Sequence, residues 1–329
     1  MLVIRRTWRV SWGFVRLCAI TAWALATGNW KLLSGGLLFL WLLIAVFPLV
    51  AYYPPLGKKI ARRIAGPMLR VSGLDKKIQR NFAILFGPDF QYSLATVGMY
   101  VAQEYVGMAA NKSRSDDSLL AEYDHDPSLD RFVADWHENH RAILVSAHFG
   151  HPQAAVRVLP ILGVRLYVPT EPLKVREQFE FTNWLRQPPG CKFEKISGQT
   201  VAKAQAHLEA EDPLMPGFMF DRVPSGKGKI YPFLGGYNEF ATSPAELARR
   251  TGACLYFGVA VHEGTGGSMI YIDGPIHPQV TDDREADIDT MMKTLIGCYE
   301  KWARAYPEQL IGAAQMRILS DEEVESTVY

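Results

Sequence analysis

Residues 142–162 read AILVSAHFGHPQAAVRVLPIL, and the change of period inside them decides the fold. Ala142–Ala147 is apolar at nearly every position, the pattern of a strand buried on both faces. After the HFGH turn, Pro152 suits the start of a helix, where its missing N–H is not needed, and the apolar residues that follow recur at helical spacing. A buried strand running into a helix is the repeating unit of an α/β layer fold. The alternation continues with RLYVPT (165–170), GFMFD (217–221), CLYFGVAV (254–261) and MIYID (269–273) as strands. Between them, VREQFEFTNWLR, TVAKAQAHLEA and SPAELARRTG read as helices. In the last of these, Ser243 is expected to cap the helix, Pro244 to open it, Glu246 to complete a capping box and Gly252 to stop it. Upstream, Asn81–Met108 is expected as one helix and Leu129–Asn139 as a second, amphipathic one.

His148 falls just past the first of these strands, at the carboxyl end where open α/β sheets place their ligand crevices. A loop histidine can take a proton from an attacking hydroxyl when an acceptor on its other ring nitrogen fixes the tautomer. Gln153, in the first turn of the next helix, can hold the ring but brings no charge to stabilise an imidazolium. On the weakened-dyad reading, a carboxylate at position 153 would raise turnover. The pair His148 and His151 also has the H-x-x-H spacing of two metal ligands, but no HExxH or carboxylate-rich set accompanies it. The third reading is an ordinary loop.

Charge is distributed unevenly. Residues 1–80 hold thirteen Lys/Arg against the single acid Asp75, while the remainder holds 22 basic and 33 acidic side chains. The basic part is also the most hydrophobic. Leu32–Tyr53 is uncharged over 22 residues, enough for a helix to cross roughly 30 Å of hydrocarbon. A second apolar stretch, broken only by Arg16, precedes it. Basic residues flank both, so the pair reads either as a hairpin with both ends in the cytoplasm or as helices lying in the interface. That combination favours a membrane surface as partner, and no zinc-finger, RNP or helix-turn-helix signature points to nucleic acid. Cys18, Cys191, Cys254 and Cys298 are scattered without CxxC spacing, the usage of a reducing compartment.

The order of several motifs then becomes informative. RNFAILF, SAHFGHPQ, TEPLKVREQF, DRVPSGKGKIYPFLGG, TSPAELARRTGACLYFGVAV and YPEQ follow one another from about Asn81 to Gln309. In that order they resemble the bacterial lipid A biosynthesis acyltransferases and the related phosphatidylinositol mannoside acyltransferases. The resemblance implies a glycerolipid-acyltransferase-like α/β fold, a mixed sheet flanked by helices, behind an N-terminal hydrophobic membrane-anchoring helical segment. It also implies transfer of an acyl group from a thioester on acyl carrier protein or coenzyme A to a hydroxyl of a membrane lipid or glycolipid. Such an enzyme works at the cytoplasmic face of the bacterial inner membrane, and its thioester chemistry needs no cofactor or metal.

His148 matches the general base of the family's His-x4-Asp/Glu motif, and Gln153 departs from it at the carboxylate position. Glu171 is the best placed alternative carboxylate, with Glu239 a weaker one, and Asp221 is a further candidate to carry the missing charge. Asp221 and Arg222 follow a strand at the same sheet edge, Arg222 to hold a phosphate or sugar of the acceptor and Asp221 to orient it or accept a hydrogen bond. Lys227, in the basic loop PSGKGK, is placed to approach phosphate. The resulting division is a membrane-associated region at 1–80, a catalytic domain at 81–320 and an acidic tail at 321–329 that is expected to fray. The competing reading is a lipid-binding or assembly protein that kept the fold and lost the dyad, and Gln153 is the feature that favours it.

Overall fold

The structure is a computed structural model and describes residues 69–110, 115–121, 123–171, 176–223, 228–263 and 268–328, with a few isolated positions besides. The apolar stretches before position 59, and Lys227, lie outside the described residues. Among those described, no helix is long and apolar enough to cross a membrane.

The chain enters through helices α1 (Leu74–Phe86) and α2 (Leu94–Ala110). A single helix was expected across this region, but Gly87, at φ 99°, ends the first, and the Pro88 that follows cannot donate to its ladder. Helix α1 buries Ile78, Asn81, Phe82 and Leu85, one stripe at i, i+3, i+4 and i+7. Then come α3 (Asp116–Leu120), β1 (Tyr123–His125) and α4 (Pro127–Asn139). The side chain of Asp126 caps α4 by accepting from Ser128 N–H at 2.9 Å, with Pro127 in the first helical turn. The face α4 buries is Leu129, Phe132 and Trp136. Burying Leu129 or Phe132 contributes about 2–3 kcal/mol each.

The alternating body follows as β2 (Ala142–Ser146), α5 (Gln153–Ile161), β3 (Leu166–Thr170), α6 (Arg176–Arg186), β4 (Cys191–Lys195), α7 (Thr200–Leu208) and β5 (Met215–Met219). A hairpin, β6 (Lys229–Phe233) and β7 (Gly236–Phe240), precedes α8 (Ser243–Thr251), β8 (Cys254–His262) and β9 (Ser268–Ile276). Helix α8 starts at its expected cap, Ser243, one residue earlier than expected. Thr242 stands at the N-cap and its hydroxyl donates to Glu246 at 3.0 Å, and Gly252 ends the helix in the left-handed region as expected. The long helix α9 (Arg284–Ala305), two short 3-10 turns (Pro307–Gln309 and Ile311–Ala314), β10 (Ile318–Leu319) and α10 (Asp321–Val328) complete the chain. The acidic tail is helical rather than frayed, and Glu323 pairs with Arg80 of α1.

The main sheet has the order β1-β9-β8-β2-β5-β3-β4, and only the β8·β9 pair is antiparallel. A second, antiparallel sheet has the order β10-β7-β6. This is the expected mixed α/β sheet flanked by helices. Strand β2 lies in the middle, between β8 and β5, with Ile143 and Val145 fully buried. Its central place explains its unbroken apolar run. The same place brings the loop after β2 beside the ends of both neighbours.

Candidate active site

Strand register builds the site. In the parallel β2·β5 pair Ser146 lies opposite Met219, and Phe220 N–H extends the ladder to Ser146 C=O at 3.1 Å. Two residues past each strand, His148 and Asp221 therefore emerge side by side. His148 Nδ1 and Asp221 Oδ1 are 2.9 Å apart, and the second carboxylate oxygen accepts the His148 backbone N–H, also at 2.9 Å. Asp221 is fully buried while the His148 side chain keeps 32% exposure. A buried carboxylate holding a partly exposed imidazole through Nδ1–H leaves Nε2 as the acceptor, the geometry of a general base.

Groups from four elements hold this pair. Asn238 of β7 donates to the Asp221 carbonyl at 3.0 Å. Tyr299 of α9, fully buried, directs its hydroxyl toward Asp221 Oδ2 at a long 3.5 Å. Burial and the carboxylate together push the Tyr299 phenol well above its usual range, so it stays a donor. The second 3-10 turn closes the back of the pair, where Gly312 N–H donates to His148 C=O at 2.7 Å. A Cβ on Gly312 would lie 2.9 Å from His148 Cβ and 3.0 Å from Asp221 Oδ2, so only glycine allows this approach. Asn81 of α1, itself fully buried, anchors the turn through Ala313 C=O at 2.6 Å.

The other expected residues fall into different contacts. Gln153 is not the partner of the His148 ring, because Asp221 occupies Nδ1. Gln153 instead opens helix α5, near Glu104 of α2. Glu171, just past β3, forms an ion pair with Arg222, and Arg222 also donates to Gln315. Glu171 therefore does not replace the missing charge at His148; it sets Arg222 beside the dyad. Glu239 accepts from Gly228 N–H at 2.9 Å and pairs with Arg317. His151 turns away from His148 into a buried group with Tyr123 (3.5 Å), Glu104 (3.6 Å) and the stacked ring of His262 (5.6 Å between centroids). Among the described residues, no three His, Cys, Asp or Glu side chains converge as metal ligands.

Glu104, Asn81, Tyr299, Gly312 and Asn238 carry no signal that reading the sequence picked up. Only RNFAILF, which contains Asn81, belongs to a stretch that had been singled out by its resemblance.

A model of the bacterial lipid A biosynthesis acyltransferases matches residues 26–311. The chain belongs to that family. The match covers most of the sequence and begins well ahead of Asn81, where the individual motifs become recognisable. Members of the family are acyltransferases, so the two substrates are an acyl donor and a lipid acceptor. A search of the curated proteins finds no match.

Within this family member, Glu104 gives the site a measurable pH signature. Burial raises its carboxyl from 4.5 to about 8, against weaker opposing contributions from Gln153 and Arg186. Because the folded value lies above the unfolded one, the native state holds an extra proton between those limits. Stability therefore falls as pH rises from about 4.5 to about 8, and the loss is complete above that. Thermal unfolding over this window is expected to show Tm dropping with pH in the parent and a flatter profile in Glu104→Gln. Parallel profiles for the two proteins would contradict the raised value.

Proposed function

We propose that this acyltransferase moves an acyl group from a thioester, on acyl carrier protein or coenzyme A, to a hydroxyl of a membrane lipid or glycolipid, with His148 as general base. The observation that carries the reading is the 2.9 Å contact between partly exposed His148 and buried Asp221. His148 Nε2 takes the acceptor's hydroxyl proton as the oxygen attacks the thioester carbonyl, and Asp221 stabilises the resulting imidazolium. Collapse of the tetrahedral intermediate breaks the C–S bond, and the imidazolium returns the proton to the departing thiolate. The products are an ester and a free thiol, and no redox change or metal is required.

Arg222, oriented by Glu171 and Gln315, supports binding of a phosphate or sugar of the acceptor near the dyad. Lys227, in the neighbouring basic loop, is assigned to the same headgroup. The apolar, basic N-terminal region supports attachment to the inner membrane, with the catalytic domain on its cytoplasmic face. The lipid-binding alternative rested on a dyad lacking its carboxylate, and Asp221 supplies one.

The test is direct. Purified protein is incubated with acyl-carrier thioester or acyl-CoA and a membrane lipid extract, and the lipids are resolved by mass spectrometry. The expected result is a lipid heavier by one acyl group and equimolar free thiol. No acylated lipid with either donor would overturn the reading.

A further inference from the structure

The loop that carries His148 is held by its backbone at three places. His148 N–H donates to Asp221 at 2.9 Å, His151 N–H to Ala260 C=O at 2.8 Å, and Gly150 N–H to Gln309 C=O, also at 2.8 Å. The first two acceptors belong to β8 and to the end of β5, but the third lies outside the main sheet, in the first 3-10 turn after α9. What holds that turn in place is the side chain of Gln309 itself, 3% exposed. Its Oε1 accepts the backbone N–H of His262, the last residue of β8, at 2.9 Å, and its Nε2–H donates to His262 C=O at 2.8 Å. The amide takes the place that a neighbouring strand would have at that residue. On either side the same segment is tied elsewhere, by Glu308 accepting Ser93 N–H at 2.5 Å and by Gly312 N–H donating to His148 C=O at 2.7 Å.

We infer that Gln309 is a positioning residue for His148: its side-chain amide fixes residue 309 on the end of β8, and its carbonyl holds the loop at Gly150, two residues past the base. The chemistry of the contact selects an amide. Meeting both the N–H and the C=O of one residue takes an acceptor and a donor side by side, which a primary amide has. A leucine fills the same space and removes both bonds. A glutamate carboxylate can accept from His262 N–H, but its second oxygen then opposes His262 C=O, and only when protonated does it offer a donor again. The inference rests on the proposal that His148 is the base, because only then does the loop's position bear on turnover.

Three variants are compared with the parent: Gln309→Leu, Gln309→Glu and, as a control for stability alone, Leu129→Ala in the buried face of α4. Gln309→Leu is expected to lose about tenfold in kcat with the KM for the acyl donor little changed, and to lose about 3 °C or more in Tm. Leu129→Ala is expected to lose at least as much Tm and to keep kcat within about twofold of the parent. The rate at which diethyl pyrocarbonate modifies His148, followed by peptide mass spectrometry, is expected to rise in Gln309→Leu and to stay at the parent's value in Leu129→Ala. That rate needs no substrate, so a parent that turns over neither donor would sink the acyl-transfer reading separately. Gln309→Glu adds a test that pH controls. The introduced carboxyl makes both bonds only when protonated, so its folded value lies above its unfolded one, and its stabilisation is present at low pH and lost as pH rises through the folded value. Its Tm deficit against the parent is expected to be large near about pH 8 and to shrink toward about pH 5. A deficit that does not shrink would overturn the inference, even if Gln309→Leu fails to fold. So would a folded Gln309→Leu protein whose His148 reacts at the parent's rate or whose kcat falls no further than that of Leu129→Ala.

Discussion

An Asp221→Asn protein is expected to transfer acyl groups about 10³- to 10⁴-fold more slowly than the parent, approaching the loss in His148→Ala. The reason lies in the two oxygens of Asp221. One accepts His148 Nδ1–H and the other accepts the His148 backbone N–H. An asparagine has a single acceptor oxygen, so its NH2 must oppose one of these donors. If it faces the ring, it selects the tautomer with the proton on Nε2 and removes the base. If it faces the backbone, it sets two buried donors against each other at a cost of about 1–3 kcal/mol. Either way no carboxylate stabilises the imidazolium. Initial rates at saturating substrates would measure the loss. Because the two residues act as a unit, the His148→Ala/Asp221→Asn double variant should be no slower than His148→Ala alone. An Asp221→Asn protein within tenfold of the parent would dismiss Asp221 as the partner.

The second large effect is expected at Gly150. Its φ of 60° lies in the left-handed region, and a Cβ built there would sit 2.0 Å from the Ala260 carbonyl oxygen. The left-handed conformation alone costs a non-glycine residue about 1–2 kcal/mol. The contact with β8 backbone cannot be relieved by turning a side chain, so the whole HFGH segment must move. Gly150→Ala is expected to destabilise the fold by about 3 kcal/mol or more, read by urea unfolding. A shift of about 1 Å in His148 is expected to lower kcat by a further 10²-fold in the fraction that stays folded. Near-parent values for both would show that this loop is not held where the structure places it.

The elements of the body were largely legible in the sequence, and the misses have physical causes. Strands β2, β3 and β8 are apolar without interruption because they are covered on both faces, and that pattern survives in one dimension. Strand β4 at the sheet's edge, CKFEK, alternates apolar and charged residues over only four positions, too short a run to stand out. Helix α9, which supplies Tyr299 behind the dyad, was legible too, since Ile288, Met291, Met292, Leu295, Ile296 and Tyr299 recur at helical spacing, but the charged residues between them drew no attention to it. The boundary between α1 and α2 was signalled by Gly87-Pro88, and the apolar spacing on either side concealed it.

His148 was found because chemistry and position coincide: a histidine directly after a buried strand. Of the partners the sequence offers, Gln153 lies at the wrong distance and Asp221, named only as an alternative, is the one in contact. Five residues along the chain, Gln153 has already entered helix α5, which carries it toward α2 and Glu104. Asp221, 73 residues away, is delivered by β5 running parallel to β2 in a register that aligns their ends.

By itself, then, the sequence determined the family, the alternating strands and helices, and the identity of the candidate base, because these depend on residue order and local period. Tertiary structure decided which carboxylate contacts that candidate base and where Gln153 lies. Both are set between elements distant in sequence, and they depend on strand register and helix packing rather than on any spacing along the chain.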